Sequence, residues 1–95
     1  MRVGNFDKQP DERRRLAINY THALAQGDIV LEAELKSVVP SDELTVDTLT
    51  VESPQVLFFI EGGAHRTSYV VTVATTTGIG EVFEDEILVS VIERD

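Results

Sequence analysis

The amino-acid sequence predicts an all-β domain, a Greek-key β-sandwich of six or seven strands. Val, Ile and Thr make up 28 of the 95 residues, and these β-branched side chains suit the pleated surface of a sheet. Short alternating segments are separated by Gly and Pro turns, and no helical pattern of crossover length lies between them. Two sheets that each bury one face account for such a pattern in about 100 residues.

Composition and charge exclude several classes of protein. Hydrophobic residues are 42% and charged residues 26% of the chain, which is typical of a globular domain. The absence of cysteine excludes a disulfide framework, a thiolate nucleophile and a cysteine zinc site. A net charge of -9 argues against nucleic acid and anionic membranes as partners. The longest uncharged stretch, residues 67–80, is shorter than the roughly 20 apolar residues of a spanning helix.

Residues 1–12 are predicted to form an extended arm, and residues 13–95 the folded domain. The arm lacks apolar periodicity and contains Gly4, Asn5 and Pro10. The first 15 residues carry five basic and three acidic side chains, a net charge of +2, so the remainder carries -11. Opposite charges at two places favour head-to-tail association of copies, and the hypothesis is that the arm becomes ordered only on a neighbouring chain. The alternative is a disordered, solvated terminus. No apolar signal segment follows Met1, so the protein is expected to stay where it is made.

The first element of the domain has two interpretations. Leu16, Ile18 and Tyr20 alternate as in a strand, which is the preferred interpretation. Pro10 followed by two acidic residues is typical of a helix start, so a helix over residues 11–25 is the alternative.

Two further strands follow, each with its own irregularity. The first is predicted to turn four alternating side chains inward and its charged residues outward. These four are Ile29, Leu31, Ala33 and Leu35. In the second, the apolar alternation shifts between Val46 and Leu49, which predicts a bulge or turn near Asp47.

Residues 56–60 form an unbroken apolar run, typical of a strand that is covered on both faces. If Val56, Phe58 and Ile60 face the core, Leu57 and Phe59 face outward. Exposed apolar side chains of this kind mark surfaces for a partner. The alternative is that a loop or the arm of the same chain covers them.

The last segments are predicted to form antiparallel pairs. Gly62 and Gly63 are predicted to join the run 56–60 to residues 69–73 as one hairpin. Residues 77–80 reverse the chain again. The final strand, residues 83–93, is predicted to turn Ile87, Val89 and Val91 to one face.

The side chains that carry chemistry form no catalytic pattern, so neither an enzyme nor a cofactor is predicted. The two histidines, His22 and His65, have no metal-ligand spacing and are interpreted as surface residues. Residues 84–86 are three consecutive acids. Because alternation sends them to opposite faces, they are interpreted as a solvated acidic segment and not as a calcium site.

Turn and strand motifs occur along the whole domain in a definite order. They are Pro10-Asp11-Glu12, Gly27-Asp28-Ile29, Gly62-Gly63, Tyr69-Val70-Val71-Thr72, Thr76-Thr77-Gly78, and Glu86 before Ile87-Leu88-Val89-Ser90-Val91. In this order and spacing the sequence resembles the phage fiber-tail adaptor family, small immunoglobulin-like virion proteins. It departs from the family's pattern in the absence of tryptophan from the first two strands and in the basic run at residues 13–15.

The resemblance implies a non-enzymatic subunit, present in several copies around the tail axis. Such a subunit would bridge tail or neck ring proteins and a fiber, and it would be made in the host cytoplasm and carried in the virion tail. An immunoglobulin-like carbohydrate-binding or adhesion module is the alternative, although aromatic residues are only 6% and tryptophan is absent. The candidate contact residues are Arg2, Phe6, Lys8, Arg13, Arg14, Arg15, Leu57 and Phe59.

Overall fold

A computed structural model describes residues 2–41 and 43–93 of the chain. Over these residues the protein forms seven strands and no helix, so the all-β prediction is confirmed and the helical alternative for residues 11–25 is wrong. The strands are β1 Arg2–Lys8, β2 Arg13–Asn19, β3 Val30–Val39, β4 Leu44–Glu52, β5 Gln55–Gly62, β6 Thr67–Thr77 and β7 Val82–Val91.

The strands form two sheets that pack against each other as a sandwich. The four-stranded sheet has the order β1-β7-β6-β3, and the three-stranded sheet has the order β2-β5-β4. β1 pairs with β7 in parallel, whereas every other pair in these sheets is antiparallel. The two-sheet arrangement agrees with the predicted sandwich. Its immunoglobulin-like Greek-key topology stays a prediction.

The core lies between the sheets and is built from alternate residues of the central strands. On β5 the side chains of Val56, Phe58 and Ile60 are completely buried, as the apolar run predicts. They face the buried side chains Tyr69, Val71, Val73, Ile87, Val89 and Val91 of β6 and β7. Burying one such side chain contributes about 1.5–3 kcal/mol to folding, so this layer holds the two sheets together. Leu57 and Phe59 lie on the outer side of β5, because neighbouring residues of a strand point to opposite faces.

The prediction that residues 1–12 lie outside the sheets is wrong for β1. This strand pairs with β7 of its own chain, with Phe6 opposite Val89, and therefore needs no neighbouring chain to become ordered. The sequence conceals the strand because its inward-facing positions are occupied by Phe6 and Lys8. A lysine at an inward position interrupts the apolar alternation by which a strand is recognised. Residues 9–12 form the turn to β2, with the backbone N–H of Glu12 donating to the carbonyl of Gln9.

The predicted inward positions of β3 are wrong in part. Ile29 is 52% and Leu31 58% exposed, whereas Val30 is buried. Ala33 packs partly against the core, as predicted, and Leu35, opposite the buried Val73, is 38% exposed. The pairing of β3 with β6 is irregular between Val30 and Glu32 and again between Leu35 and Ser37. Because side chains alternate with a period of two, each irregularity moves the residues that follow to the other face. The prediction of an irregularity in β4 is confirmed, since its register with β5 shifts between Asp47 and Thr50.

Gly62 and Gly63 join two sheets rather than two strands of a hairpin, so the predicted pairing of β5 with β6 is wrong. β5 pairs with β2 and β4, and β6 pairs with β3 and β7. Both glycines have positive φ values, +79° and +98°, which are conformations that other residues rarely adopt. The backbone N–H of Gly63 donates to the carbonyl of Glu43, 2.9 Å away. The reversal at residues 77–80 is a true hairpin turn, because β6 and β7 pair antiparallel on either side of it.

Replacing Gly63 with alanine should destabilise the fold more than the same change at Gly80. A Cβ atom at Gly63 would lie 2.7 Å from Cγ2 of Val91, whereas a Cβ at Gly80 meets nothing within 4 Å. The two glycines have similar φ values, +98° and +94°, so the conformational cost of placing alanine at positive φ should be similar in the two variants. Crowding in a packed core costs about 1–3 kcal/mol, and Gly63→Ala should exceed Gly80→Ala by about this amount in urea unfolding. Equal losses would contradict a close packing of the crossing against β7.

Candidate functional site

The outer side of the three-stranded sheet brings four of the eight predicted contact residues together, Arg13, Arg15, Leu57 and Phe59. Leu57 and Phe59 occupy the middle strand, β5. The partners of Phe59 across the sheet are Arg15 on β2 and Asp47 on β4, and those of Leu57 are Ala17 and Thr50. We call this surface the β5 face; it consists of Arg13, Arg15, Ala17, Asp47, Thr50, Leu57, Phe59 and Glu61.

The apolar centre of the β5 face is only partly covered by the chain itself. Leu57 and Phe59 are half-buried. The guanidinium group of Arg13 lies over the ring of Phe59, 4.4 Å from its centroid, which is within the range of a cation–π contact. β1 belongs to the other sheet, so the predicted arm does not cover this surface. The face therefore presents an apolar stripe with a cation stacked on its aromatic ring.

Arg13 is fixed in place by two carboxylates. Its guanidinium nitrogens donate to the two carboxylate oxygens of Asp47 at 2.8 and 3.1 Å and to Oε1 of Glu61 at 3.1 Å. The hydrogen bond from Arg13 holds the pKa of the Asp47 carboxyl below its ordinary value, and the same contact raises the pKa of Arg13. A bidentate pair of this kind sets the orientation of the guanidinium plane. Arg13 is therefore held in one position before any partner arrives.

The other two arginines of the basic run point in different directions. Arg15 is exposed on the β5 face and makes no ion pair within the described part of the chain. Arg14 lies on the opposite side of β2, where its guanidinium stands 5.1 Å from the centroid of the Phe6 ring and 3.7 Å from a carboxylate oxygen of Glu12. The structure thus divides three consecutive arginines between two surfaces.

The predicted contact residues of the arm do not lie on the β5 face. Lys8 is 3% exposed, and its Nζ donates to the backbone carbonyls of Gln9, Pro10 and Gly62. Burial lowers the pKa of Lys8. This lysine links β1 to the end of β5 in the opposite sheet and is not available to a partner. Phe6 packs in part against the core, and the side chain of Arg2 lies outside what the structure describes.

A buried polar cluster that sequence reasoning missed lies between the sheets. Tyr20 Oη donates to Oδ2 of Asp85 at 2.6 Å and lies 3.0 Å from Oγ1 of Thr75. Asp85 is only 4% exposed, so the interpretation of residues 84–86 as a solvated acidic segment is wrong for its middle residue. Burial and the hydrogen bond to Asp85 raise the pKa of Tyr20, which keeps its hydroxyl protonated. The alternation of residues along β7 could have indicated that Asp85 is buried, because Asp85 lies on the same face of the strand as Ile87, Val89 and Val91.

Other kinds of site were searched for over the same residues. Residues 2–41 and 43–93 contain no group of three or more His, Cys, Asp or Glu side chains placed to hold a metal ion. Nor do they include a helix with the length and apolar character needed to cross a membrane. His22 is exposed, and Nδ1 of His65 accepts a hydrogen bond from the backbone N–H of Glu93 at 2.9 Å. Both histidines therefore lie at the surface, outside the β5 face.

The fold is that of a small β-sandwich whose β5 face carries a partly exposed apolar stripe. The family model described as podophage GP4 fiber-tail adaptor protein gp77 matches residues 8–90. Because the match covers most of the 95 residues, the chain belongs to this family of phage fiber-tail adaptors, which are structural virion proteins. Membership of this family implies a component of the virion tail that binds other tail proteins. The family is not known to contain enzymes. A search of curated proteins found no match.

Replacing Arg13 with glutamine should raise the pKa of Asp47 towards the ordinary aspartate value of about 3.9. A carboxyl whose pKa is depressed by folding stabilises the protein above its unfolded-state pKa, and this stabilisation is lost as pH falls through the folded-state pKa. The stability difference between the original protein and Arg13→Gln should therefore shrink below about pH 4. Carbon-13 NMR titration of the Asp47 carboxyl measures the shift directly.

Arg15→Gln is the matched control, because it removes a neighbouring charge on the same strand that makes no hydrogen bond to Asp47. It should leave the low pKa of Asp47 largely in place. Equal titration of Asp47 in the original protein and in Arg13→Gln would show that the pair does not order the β5 face.

Proposed function

We propose that this protein is a non-enzymatic subunit of the phage tail that bridges tail or neck ring proteins and a fiber. Several copies, made in the host cytoplasm, act together in the assembled particle, and neither nucleic acid nor a membrane is a partner. Two observations support the proposal: the family to which the chain belongs, and the β5 face, which carries an apolar stripe on a rigid sheet.

The composition of the β5 face suits a protein partner. Aromatic and arginine side chains are enriched in protein interfaces, whose apolar centres are bordered by polar groups. Phe59 and Leu57 form such a centre, and Asp47 and Glu61 lie beside it. Since Arg13 is already held by both carboxylates, a partner that contacts it does not need to immobilise a long side chain. Ordering of this kind before binding lowers the entropic cost of association.

The distribution of charge supports association between copies. Arg13 and Arg15 lie on the β5 face, whereas the outer side of the four-stranded sheet carries exposed acids. Glu34 and Glu84 both stand opposite Ala74, one on each side of β6. Arg15 makes no ion pair within the described residues, so it is the cation of the β5 face that is available to an acid of the next copy. Such a contact is a heterologous interface, which closes into a ring if the rotation permits.

The arrangement favours a protein partner over a carbohydrate. A sugar-binding surface uses an aromatic ring as an open platform. Here the ring of Phe59 is stacked by the guanidinium of Arg13, 4.4 Å from its centroid. The carbohydrate-binding or adhesion alternative therefore has no specific support from the β5 face.

Replacing Phe59 with lysine should weaken assembly without unfolding the protein. The substitution removes the apolar centre of the β5 face and places a second cation beside Arg13, and loss of a central interface residue costs about 2 kcal/mol or more in binding. Incorporation of the variant into tails is measured in cells infected with the parent phage lacking its own copy. Circular dichroism and thermal unfolding of the purified variant report its fold.

Ile79→Lys is the control, since it adds the same charge at a position that is 65% exposed in the turn between β6 and β7. It should enter tails normally. Normal incorporation of Phe59→Lys, or its failure to fold in isolation, would each contradict the proposed role of the β5 face.

A further inference from the structure

A second surface lies at the side of the sandwich, where edge strands of the two sheets face each other across an opening. β1 pairs only with β7, and β2 pairs only with β5. Between these edges lies a groove of about 460 Å³, which we call the lateral groove. Its walls include Phe6 of β1, Leu16 and Ile18 of β2, and Ile87 of β7, and Tyr20 and Asp85 also line it.

The parts of β1 and β2 that line the groove carry no charged side chain. Natural sheets protect a free edge with charged side chains, proline or a covering segment, because unpaired backbone groups recruit other strands. On β2 the charged residues are Arg13, Arg14 and Arg15, whereas residues 16–19 are Leu-Ala-Ile-Asn. Residues 4–6 of β1 are Gly-Asn-Phe and are equally uncharged. The unprotected parts of both edges are therefore the parts that line the groove.

The Asp85 carboxylate is the charged group among the residues that line the groove, beside the polar side chains of Asn5, Asn19 and Tyr20. Oδ2 of Asp85 accepts the hydrogen bond from Tyr20 Oη at 2.6 Å, and none of the Lys and Arg side chains described in residues 4–41 and 43–93 forms an ion pair with Asp85. An ionised carboxylate accepts several hydrogen bonds and is costly to bury without them. Lys8 and Arg14 have other partners, Lys8 the backbone carbonyls and Arg14 the side chains of Glu12 and Phe6.

Apolar walls with a carboxylate among them match one type of side chain. Lys and Arg have aliphatic stems that pack on apolar surfaces and cationic heads that pair with carboxylates. A site of some 300–1,000 Å³ has room for a side chain and part of the segment that carries it. An extended segment adds main-chain hydrogen bonds to a free strand edge and places alternate side chains in the adjoining pocket.

We propose that the lateral groove binds a Lys or Arg side chain carried on an extended segment of another protein. The stem of this side chain packs against Phe6, Leu16 and Ile87, and its cationic head pairs with the Asp85 carboxylate. The backbone of the segment pairs with the free edge of β2 or β1. That the segment belongs to another tail protein rests on the proposed function. The groove and its preference for a cation rest on the geometry alone.

The preference is tested with two small probes of equal length and opposite charge, n-pentylammonium and pentanoate. Each is titrated into the full chain, and backbone amide shifts are followed by NMR. Pentylammonium should give saturable shifts at Phe6, Ile18 and Ile87. Pentanoate should bind at least about tenfold more weakly, because a hydrogen bond to a charged group is worth about 1.5–3 kcal/mol. Equal binding of both probes, or no shift at the groove with either, would overturn the proposal.

Asp85→Asn assigns the preference to the carboxylate, because asparagine keeps an acceptor for Tyr20 Oη and removes the charge. This variant should lose the preference for pentylammonium. Glu86→Gln removes the same charge from the neighbouring position on the outer side of β7 and should keep it. If Asp85→Asn does not fold, the comparison of the two probes on the unaltered chain still decides the matter. Failure of this test leaves the β5 face unaffected, since Phe59→Lys examines that surface separately.

Discussion

Strand β5 carries apolar side chains on both of its faces, and the fold supplies a covering sheet for only one of them. Val56, Phe58 and Ile60 are completely buried between the sheets, and their packing against β6 and β7 fixes the orientation of the strand. Leu57 and Phe59 must then point away from the core, because a strand cannot turn neighbouring side chains to the same face. The stability of the sandwich and the existence of the β5 face are thus consequences of one alternation.

Those parts of the fold that depend on local alternation could be predicted from the sequence. The burial pattern of β5, the irregularity after Asp47 and the inward face of β7 follow from the period of two and from its interruptions. Partner choice between strands could not be predicted in the same way. Gly62 and Gly63 permit a hairpin and a crossing between sheets equally well, and only the packing of the whole chain distinguishes them. In β3 the pairing with β6 is irregular between Val30 and Glu32, which leaves Leu31 exposed, and the apolar pattern does not reveal this irregularity.

For the charged residues of the site, the sequence likewise showed which side chains are present but not where they lie in the fold. The basic run at residues 13–15 predicted a charged surface, but alternation along β2 separates Arg14 from its two neighbours. Lys8 has the charge of a contact residue and instead satisfies three backbone carbonyls inside the fold. Asp85 stands between two other acidic residues in the sequence, as a solvated residue would, yet it lies on the inward face of β7. Charged residues at inward positions are stabilised by particular distant partners, such as Tyr20, which lies 65 positions from Asp85 in the sequence. The sequence order of a chain does not reveal such pairs.

In the proposed function, the β5 face is the main surface through which this adaptor joins the tail. An electron cryo-microscopy reconstruction of the intact tail, with this chain located in the density, tests that claim most directly. The account predicts that Phe59 and Arg13 are covered by a neighbouring protein in every copy. A reconstruction in which the β5 face is open to solvent, with the chain held in the tail through its other surfaces, would contradict it.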